Sequence, residues 1–406
     1  MSLRIFLLSV FIALQAALAF AQDKTYPFVY RDSNHIITNN CDWNRLIHTA
    51  KMLAKADSTL MKLSVLHIGD SHIQGGMLSE ALRQTLQSKY GNGGRGLIAP
   101  LKLAGTNQPA DYSFTSANRA WKATKLTSHK RREGASLTGI AVAFASPALS
   151  LNIGVNNIDD SFSSFTLLHA PAKGNISANS TEMSITKTGN DSLSYATTFT
   201  LPSACQQFPL YNLSGISELW GAILHNNRSG VVLHSIGNNG ACYQHYNQLD
   251  SFASRTTLFA PDLIIISLGT NEAFGNCKDT NAIKNEIHRL VSALQESNPE
   301  AAILLTTPME CDRRQRTRRS RRRRRRTVFA TNTNCLTVRN IIMQYGAENN
   351  IAVWDLYTVA GGKGSAAKWV ANALLAKRDH VHCSTEGYRL QGKLLAEALI
   401  QSLTEE

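Results

Sequence analysis

Five residues carry the types and local spacing that acyl transfer asks for. They are Ser71 in "HIGDSH", Gly240 in "GNNGA", Asn271 in "LGTNE", and Asp379 and His382 in "RDHVHC". A serine hydroxyl is a weak nucleophile until a histidine takes its proton, and that histidine needs a carboxylate to fix its tautomer. Asp379 and His382 stand three positions apart, so one short segment can supply both. The charge that develops on a carbonyl oxygen also needs N–H donors already in place. Asn271 offers a neutral amide NH₂. Gly240, with no Cβ, lets backbone approach a tetrahedral intermediate closely, and Gly237 is its rival for that role. Neither a metal nor an organic cofactor is needed for this chemistry.

The neighbouring polar residues read more plainly. Asp70 shapes the turn that carries Ser71 rather than acting as a second base. His72 either lines a pocket or packs, and the sequence does not choose. "HVH" places His380 and His382 at i, i+2 with no further ligand cluster, which is a poor metal set, so His380 points elsewhere. His67 and His234 fall inside strand patterns and read as satisfied core histidines. Trp121 and Trp220 read as core more than as sugar-stacking platforms. Cys242 and Cys383 flank site residues, but neither has a base of its own.

These five residues must be brought together across 311 positions, and the pattern of elements supplies the means. "SVLHI" (64–68), "GVVLHSI" (230–236), "PDLIIISLG" (261–269), "AAILLTT" (301–307) and "IAVWDL" (351–356) read as buried strands. Helical spacing runs between them, over 43–55, 78–90, 282–294 and 338–349, with a closing helix from Thr385. In the 282–294 segment, Ile283, Ile287, Leu290, Val291 and Leu294 share one face. Strands alternating with helices imply a doubly wound parallel sheet, whose ligands sit at the carboxyl ends of the strands. Ser71, Gly240 and Asn271 all follow such ends. Between residues 96 and 229 the texture changes to short alternating runs, "LTGIAVAF", "LSLNIGV", "SSFTLLHA", "EMSITKT" and "YATTFTL", which read as an all-β sandwich.

At these residues the sequence resembles the SGNH, or GDSL-type, hydrolases. "GDSH" resembles their nucleophile block, "GTNE" their Gly-x-Asn-Asp block with Glu272 in place of Asp, and "DHVH" their Asp-x-x-His block. The resemblance implies Ser71 as nucleophile, Asp379 and His382 as the base pair, and Gly240 and Asn271 as oxyanion donors. "IGDSHIQGG", "LAGTNQPADY", "LHSIGNNGACYQHY" and "ISLGTNEAFG" together look like the peptidoglycan O-acetylesterase branch. There a carbohydrate-binding-module-like β-sandwich interrupts the three-layer α/β/α hydrolase. The expected organisation is therefore hydrolase over 22–95, β-rich insertion over 96–229 and hydrolase again over 230–406. The implied activity is removal of O-acetyl groups from a cell-wall glycan, peptidoglycan first. Alternatives are an O-acetyltransferase with the same triad, an acetyl esterase acting on a plant or other exogenous glycan, and a non-catalytic glycan-binding protein.

Hydrophobic residues make up 43% of the 406-residue chain and charged residues 17%, which fits a folded chain rather than a disordered one. "MSLRIFLLSVFIALQAALAFA" reads as a signal peptide cleaved after Ala21, so the expected location is periplasmic or secreted. The competing reading, an N-terminal membrane anchor, is weakened by Ser9 and Gln15 within a short apolar core. The formal charge of +13 owes eleven arginines to one stretch, "RRQRTRRSRRRRRR", residues 313–326. Residues 312–334 accordingly read as a solvated, disordered loop, with contact to a polyanion as its functional reading. No aromatics interleave with the arginines, which argues against specific nucleic-acid recognition, and the chain is expected to act as a monomer. Of seven cysteines, Cys311 and Cys335 flank this loop and are the expected pair.

Overall fold

A computed structural model describes residues 25–55, 60–117, 121–128, 137–144, 149–171, 176–179, 195–249, 251–275, 277, 279–316 and 327–404. The N-terminal segment that reads as a signal peptide, "EMSITKT" and the arginines from 318 onward lie outside these residues. A central sheet has six strands in the order Ile36–Ile37, Ala352–Trp354, Ala302–Thr306, Leu263–Ser267, Lys62–Gly69, Gly230–Gly237. All neighbours run parallel except the two-residue edge Ile36–Ile37, which is antiparallel to Ala352–Trp354. That edge was not anticipated, because two residues carry no readable period.

The sheet is covered on both faces, which is why its strands read as continuous apolar runs. Leu63, Val65, Leu233, Ile265 and Leu304 point into one core with the helices Asn44–Ala54, Met77–Tyr90 and Thr385–Thr404. Leu66, Ile68, Ile264, Ile266 and Leu305 point into the other with Thr280–Ser297 and Asn334–Asn349. In Thr280–Ser297 the buried residues are Ile287, Leu290, Val291 and Leu294, as the spacing predicts, while Ile283 is only partly buried.

The insertion is built from two antiparallel sheets. One holds Ala196–Cys205, Phe162–His169, Glu218–His225, Ile140–Phe144 and Trp121–Lys125, with Gly96–Ile98 paired to Glu218–His225. The other holds Tyr112–Ser116, Leu149–Val155, Gln207–Ser214 and Ser177–Asn179. Phe114, Ile153 and Leu210 meet Phe165, Phe199 and Leu224 between them. The larger sheet is apolar on both faces. Ile98, Leu167 and Leu224 face the sandwich core, whereas their neighbours Leu97, Leu168 and Ile223 share a core with Leu66, Ile68 and Ile236 of the central sheet. Strand alternation thus binds the sandwich to the α/β domain as a packed layer. Trp220 is buried in that shared core, and Trp121 packs edge-on against Phe144 at 5.7 Å.

Register places the chemistry on one rim. Gly69 pairs with Gly237 and with Ser267, and Ser267 pairs with Thr306, so the strands end level and their loops emerge together.

One sequence expectation needs correction here. The arginine segment is not a featureless loop across 312–334, because Asp312–Arg316 and Thr327–Thr331 pair as an antiparallel hairpin stem and Asn334 already begins a helix. The stem forms because "TVFAT" is β-branched and aromatic, a strand signal that the adjacent charges obscured.

Candidate active site

Ser71 is the first residue of a one-turn helix, Ser71–Gln74, that folds back over the end of its own strand. Asp70 caps that helix, its Oδ1 accepting from the His72 N–H at 2.9 Å. Gly237 clears the space opposite, since a Cβ there would lie 2.1 Å from the Gln74 nitrogen. Gly237 is therefore needed for packing. Gly240 is different: its φ of +78° is the left-handed region, and a Cβ there would meet nothing nearer than Thr127 Cγ2 at 3.9 Å. Of the two glycines, Gly240 faces open space.

Ser71 Oγ lies 3.0 Å from His382 Nε2, and His382 Nδ1 lies 3.1 Å from Asp379 Oδ2. Asp379 Oδ1 accepts from the backbone N–H groups of Val381 at 2.9 Å and His382 at 3.0 Å. One carboxylate therefore folds the loop and orients the ring at once. Burial alone would raise the Asp379 pKa, but these N–H groups and the His382 ring outweigh burial and hold it below the usual carboxyl value. The His382 side chain keeps 41% of its exposure, so the pair is reachable from solvent.

Asn271 sits in the short helix Thr270–Phe274. Its Nδ2 donates to Asp70 Oδ2 and to the Ala241 carbonyl, both at 3.0 Å. Both amide protons are thus committed in this state, one bracing the turn that carries Ser71 and one the loop that carries Gly240. Donation to a developing oxyanion requires Asn271 to share or release one of them.

His72 packs beside His382. Its ring centroid lies 5.5 Å from that of His382, and its Nδ1 shares a 3.0 Å hydrogen bond with Tyr388 OH. Burial, reinforced by His382, pushes the His72 pKa down to about 3, so the His72 ring stays neutral at neutral pH. It also borders a small cavity with Ile73, Thr270 and Thr307. His67 is a satisfied core histidine, bonded to Ser267 Oγ at 2.8 Å and Ser79 Oγ at 3.1 Å. His234 is not, because its buried Nδ1 has no hydrogen-bond partner among the described residues. Its ring instead packs on Phe259 at 4.6 Å and stays neutral through burial. Burial pushes the thiols of Cys242 and Cys383 up, which keeps them protonated and inert as nucleophiles. Cys311 and Cys335 are free thiols with their sulfurs 3.4 Å apart. His380 turns away from Ser71 towards Asp312. Among the described residues, no group of three or more His, Cys, Asp or Glu side chains is arranged to hold a metal ion.

Residues 191–390 match the GDSL-like lipase/acylhydrolase family. That stretch of the chain belongs to the family. The match contains Gly240, Asn271, Asp379 and His382 but not Ser71, which the insertion separates from the rest of this GDSL-type hydrolase. A solved peptidoglycan O-acetylesterase is 20% identical and superposes with a TM-score of 0.71, covering 91% of this chain and 99% of its own. The shared fold therefore takes in the insertion as well as the hydrolase. A lipase/acylhydrolase from Enterococcus faecalis (19% identity, 43% of this chain and 78% of that one, TM-score 0.30) and an acetyl xylan esterase (17%, 42% and 81%, 0.31) are also similar. No curated protein matches the sequence.

Two contacts in the hydrolase site had no local signal. One is the Asp70–Asn271 hydrogen bond, and the other is the burial of Glu272, whose Oε1 accepts from the Tyr243 N–H at 2.8 Å while its Oε2 has no partner among the described residues. Burial pushes both Asp70 and Glu272 up to about 7. Between the ordinary carboxyl values of 3.8 and 4.5 and that value, the folded chain holds more protons than the unfolded chain. Stability carried by these groups is thus largest in acid and falls as pH rises towards 7. Urea unfolding across this window should show that decline, and Glu272→Gln, which keeps the acceptor for Tyr243, should flatten part of it. An unchanged slope in Glu272→Gln would contradict the assignment.

Proposed function

We propose that the chain is an exported serine esterase that removes O-acetyl groups from a cell-wall polysaccharide, with peptidoglycan as its substrate, in the periplasm or outside the cell. The observation that carries the reading is the 3.0 Å approach of Ser71 Oγ to His382 Nε2, with Asp379 behind the ring. In the reaction, His382 takes the Ser71 proton as Oγ attacks the acetyl carbonyl. The backbone N–H groups of Ser71 and Gly240, with the Asn271 amide, receive the oxyanion. His382 returns the proton to the leaving sugar oxygen, and an acetyl-Ser71 ester remains. Water, deprotonated by His382, attacks the ester carbonyl, and His382 returns that proton to Ser71 Oγ as acetate leaves. The choice of peptidoglycan is supported by the whole-chain likeness to a peptidoglycan O-acetylesterase and by the N-terminal sequence, which reads as an export signal.

The test is acetate release from O-acetylated peptidoglycan measured beside acetylated xylan, with wild type and Ser71→Ala. Faster release from peptidoglycan, lost in the variant, is expected. Preference for xylan would move the substrate to an exogenous glycan, and acetylated acceptor in place of acetate would make the chain a transferase.

The arginine run supports a further contact, with an anionic wall polymer, because eleven arginines are concentrated between residues 313 and 326. Deleting residues 317–326 should abolish salt-sensitive retention on that polymer. Retention unchanged by the deletion would remove the proposal.

A further inference from the structure

The hairpin stem below the arginine run touches both loops that carry the proposed chemistry. On one side it grips His380, which lies between Asp379 and His382. Asp312 Oδ2 is 2.7 Å from His380 Nδ1, the Asp312 N–H donates to the His380 carbonyl at 3.1 Å, and Phe329 stacks on the His380 ring at 3.7 Å with 13° between planes. His380 has a φ of +58°, in the left-handed region that non-glycine residues adopt uncommonly. Here three separate contacts hold the residue in place. On the other side the stem reaches the helix of Asn271. Arg313 donates to the Ala273 carbonyl and to Asn332 Oδ1, and its guanidinium lies 5.1 Å from the Phe274 ring centroid. Asn332 and Asn334 each donate to the same Ala273 carbonyl at 3.1 Å.

We infer that this stem is a strut that fixes the Asp379–His382 loop relative to the Asn271 helix, and that Asp312, Phe329, His380 and Arg313 are positioning residues for the reaction. The inference rests on the esterase reading above. Relaxation of His380 to an ordinary φ would rotate the chain between Asp379 and His382, and reacting groups displaced by a fraction of an ångström lose much of their effectiveness. The strut acts on geometry and not on substrate binding, so its loss should appear in kcat.

The test uses a small chromogenic acetyl ester, which needs no contact with the arginines, and compares Phe329→Ala, Phe329→Tyr, Arg313→Ala and Ser71→Ala in the full chain. Phe329 is only partly buried on a surface hairpin, so its truncation should leave the fold intact, and melting temperatures check this. Phe329→Ala and Arg313→Ala should lower kcat about tenfold with KM nearly unchanged, and Phe329→Tyr, which keeps the stacked ring, should retain wild-type kcat. Wild-type kcat in both alanine variants, or a change confined to KM, would overturn the strut while Ser71→Ala remains inactive. Activity retained by Ser71→Ala would instead overturn the esterase reading.

Discussion

Ser71→Ala is expected to lower acetate release by about 10⁴-fold or more, with the folded structure intact. The side chain removed is small and begins a helix that tolerates alanine well. Its contact with His382 is what the loss removes, while Asp379 continues to hold the ring through Nδ1. No nearby group can substitute. The thiols of Cys242 and Cys383 are kept protonated by burial, and Asp70 is already engaged with the His72 N–H and the Asn271 amide. The stricter form of the prediction concerns a pair. If Ser71 and His382 act as one unit, Ser71→Ala/His382→Ala should be no slower than either single variant, because the second change removes a partner that has nothing left to activate. Losses that multiply would mean that the two act independently, and the 3.0 Å contact would then be incidental. Acetate measured from O-acetylated peptidoglycan for all three variants decides between these outcomes.

The central sheet was legible because a parallel strand covered on both faces must be apolar throughout, and "VLHI", "LIIIS" and "AILLT" are. The site was legible for a related reason. Polar residues at the end of a buried strand have no packing role, so Ser71 and Asn271 stand out, and level strand ends put them on one rim. Other features depend on partners far away in sequence. Leu97 and Ile98 look alike as residues, yet one faces the hydrolase and the other the sandwich core. Composition cannot say that the insertion is a packed layer when both faces of its sheet are apolar. Asp312 lies 68 residues from His380, and nothing local to either announces their hydrogen bond. The arginines between them dominate the local composition and mask the short strand signal at Thr327–Thr331. His72 stayed ambiguous because histidine suits a pocket wall and a packed neighbour equally, and the structure shows it as both, packed on Tyr388 and His382 and bordering a small cavity.

Asp379→Asn should cost about 10⁴-fold in turnover while leaving the fold almost unchanged, and the reason is a proton placed on the wrong nitrogen. Asp379 Oδ1 accepts from two backbone N–H groups, a job an asparagine carbonyl can keep. The new NH₂ is then forced to the position of Oδ2, facing His382 Nδ1. A neutral imidazole has one donor and one acceptor nitrogen. With Nδ1 made to accept, the ring proton moves to Nε2 and points at Ser71 Oγ, 3.0 Å away. His382 would then donate to the serine from which it must accept. The Asp379 carboxyl is held below the usual value, so its stabilising contribution is complete above the unfolded value of 3.8 and is lost only as pH falls through the lower folded value. The carboxylate is therefore ionised throughout the neutral range, so protonation of Asp379 itself adds no pH dependence to wild-type turnover there. Turnover of acetylated peptidoglycan reduced tenfold or less would show that Asp379 merely steadies the imidazolium, and would remove tautomer control from the mechanism.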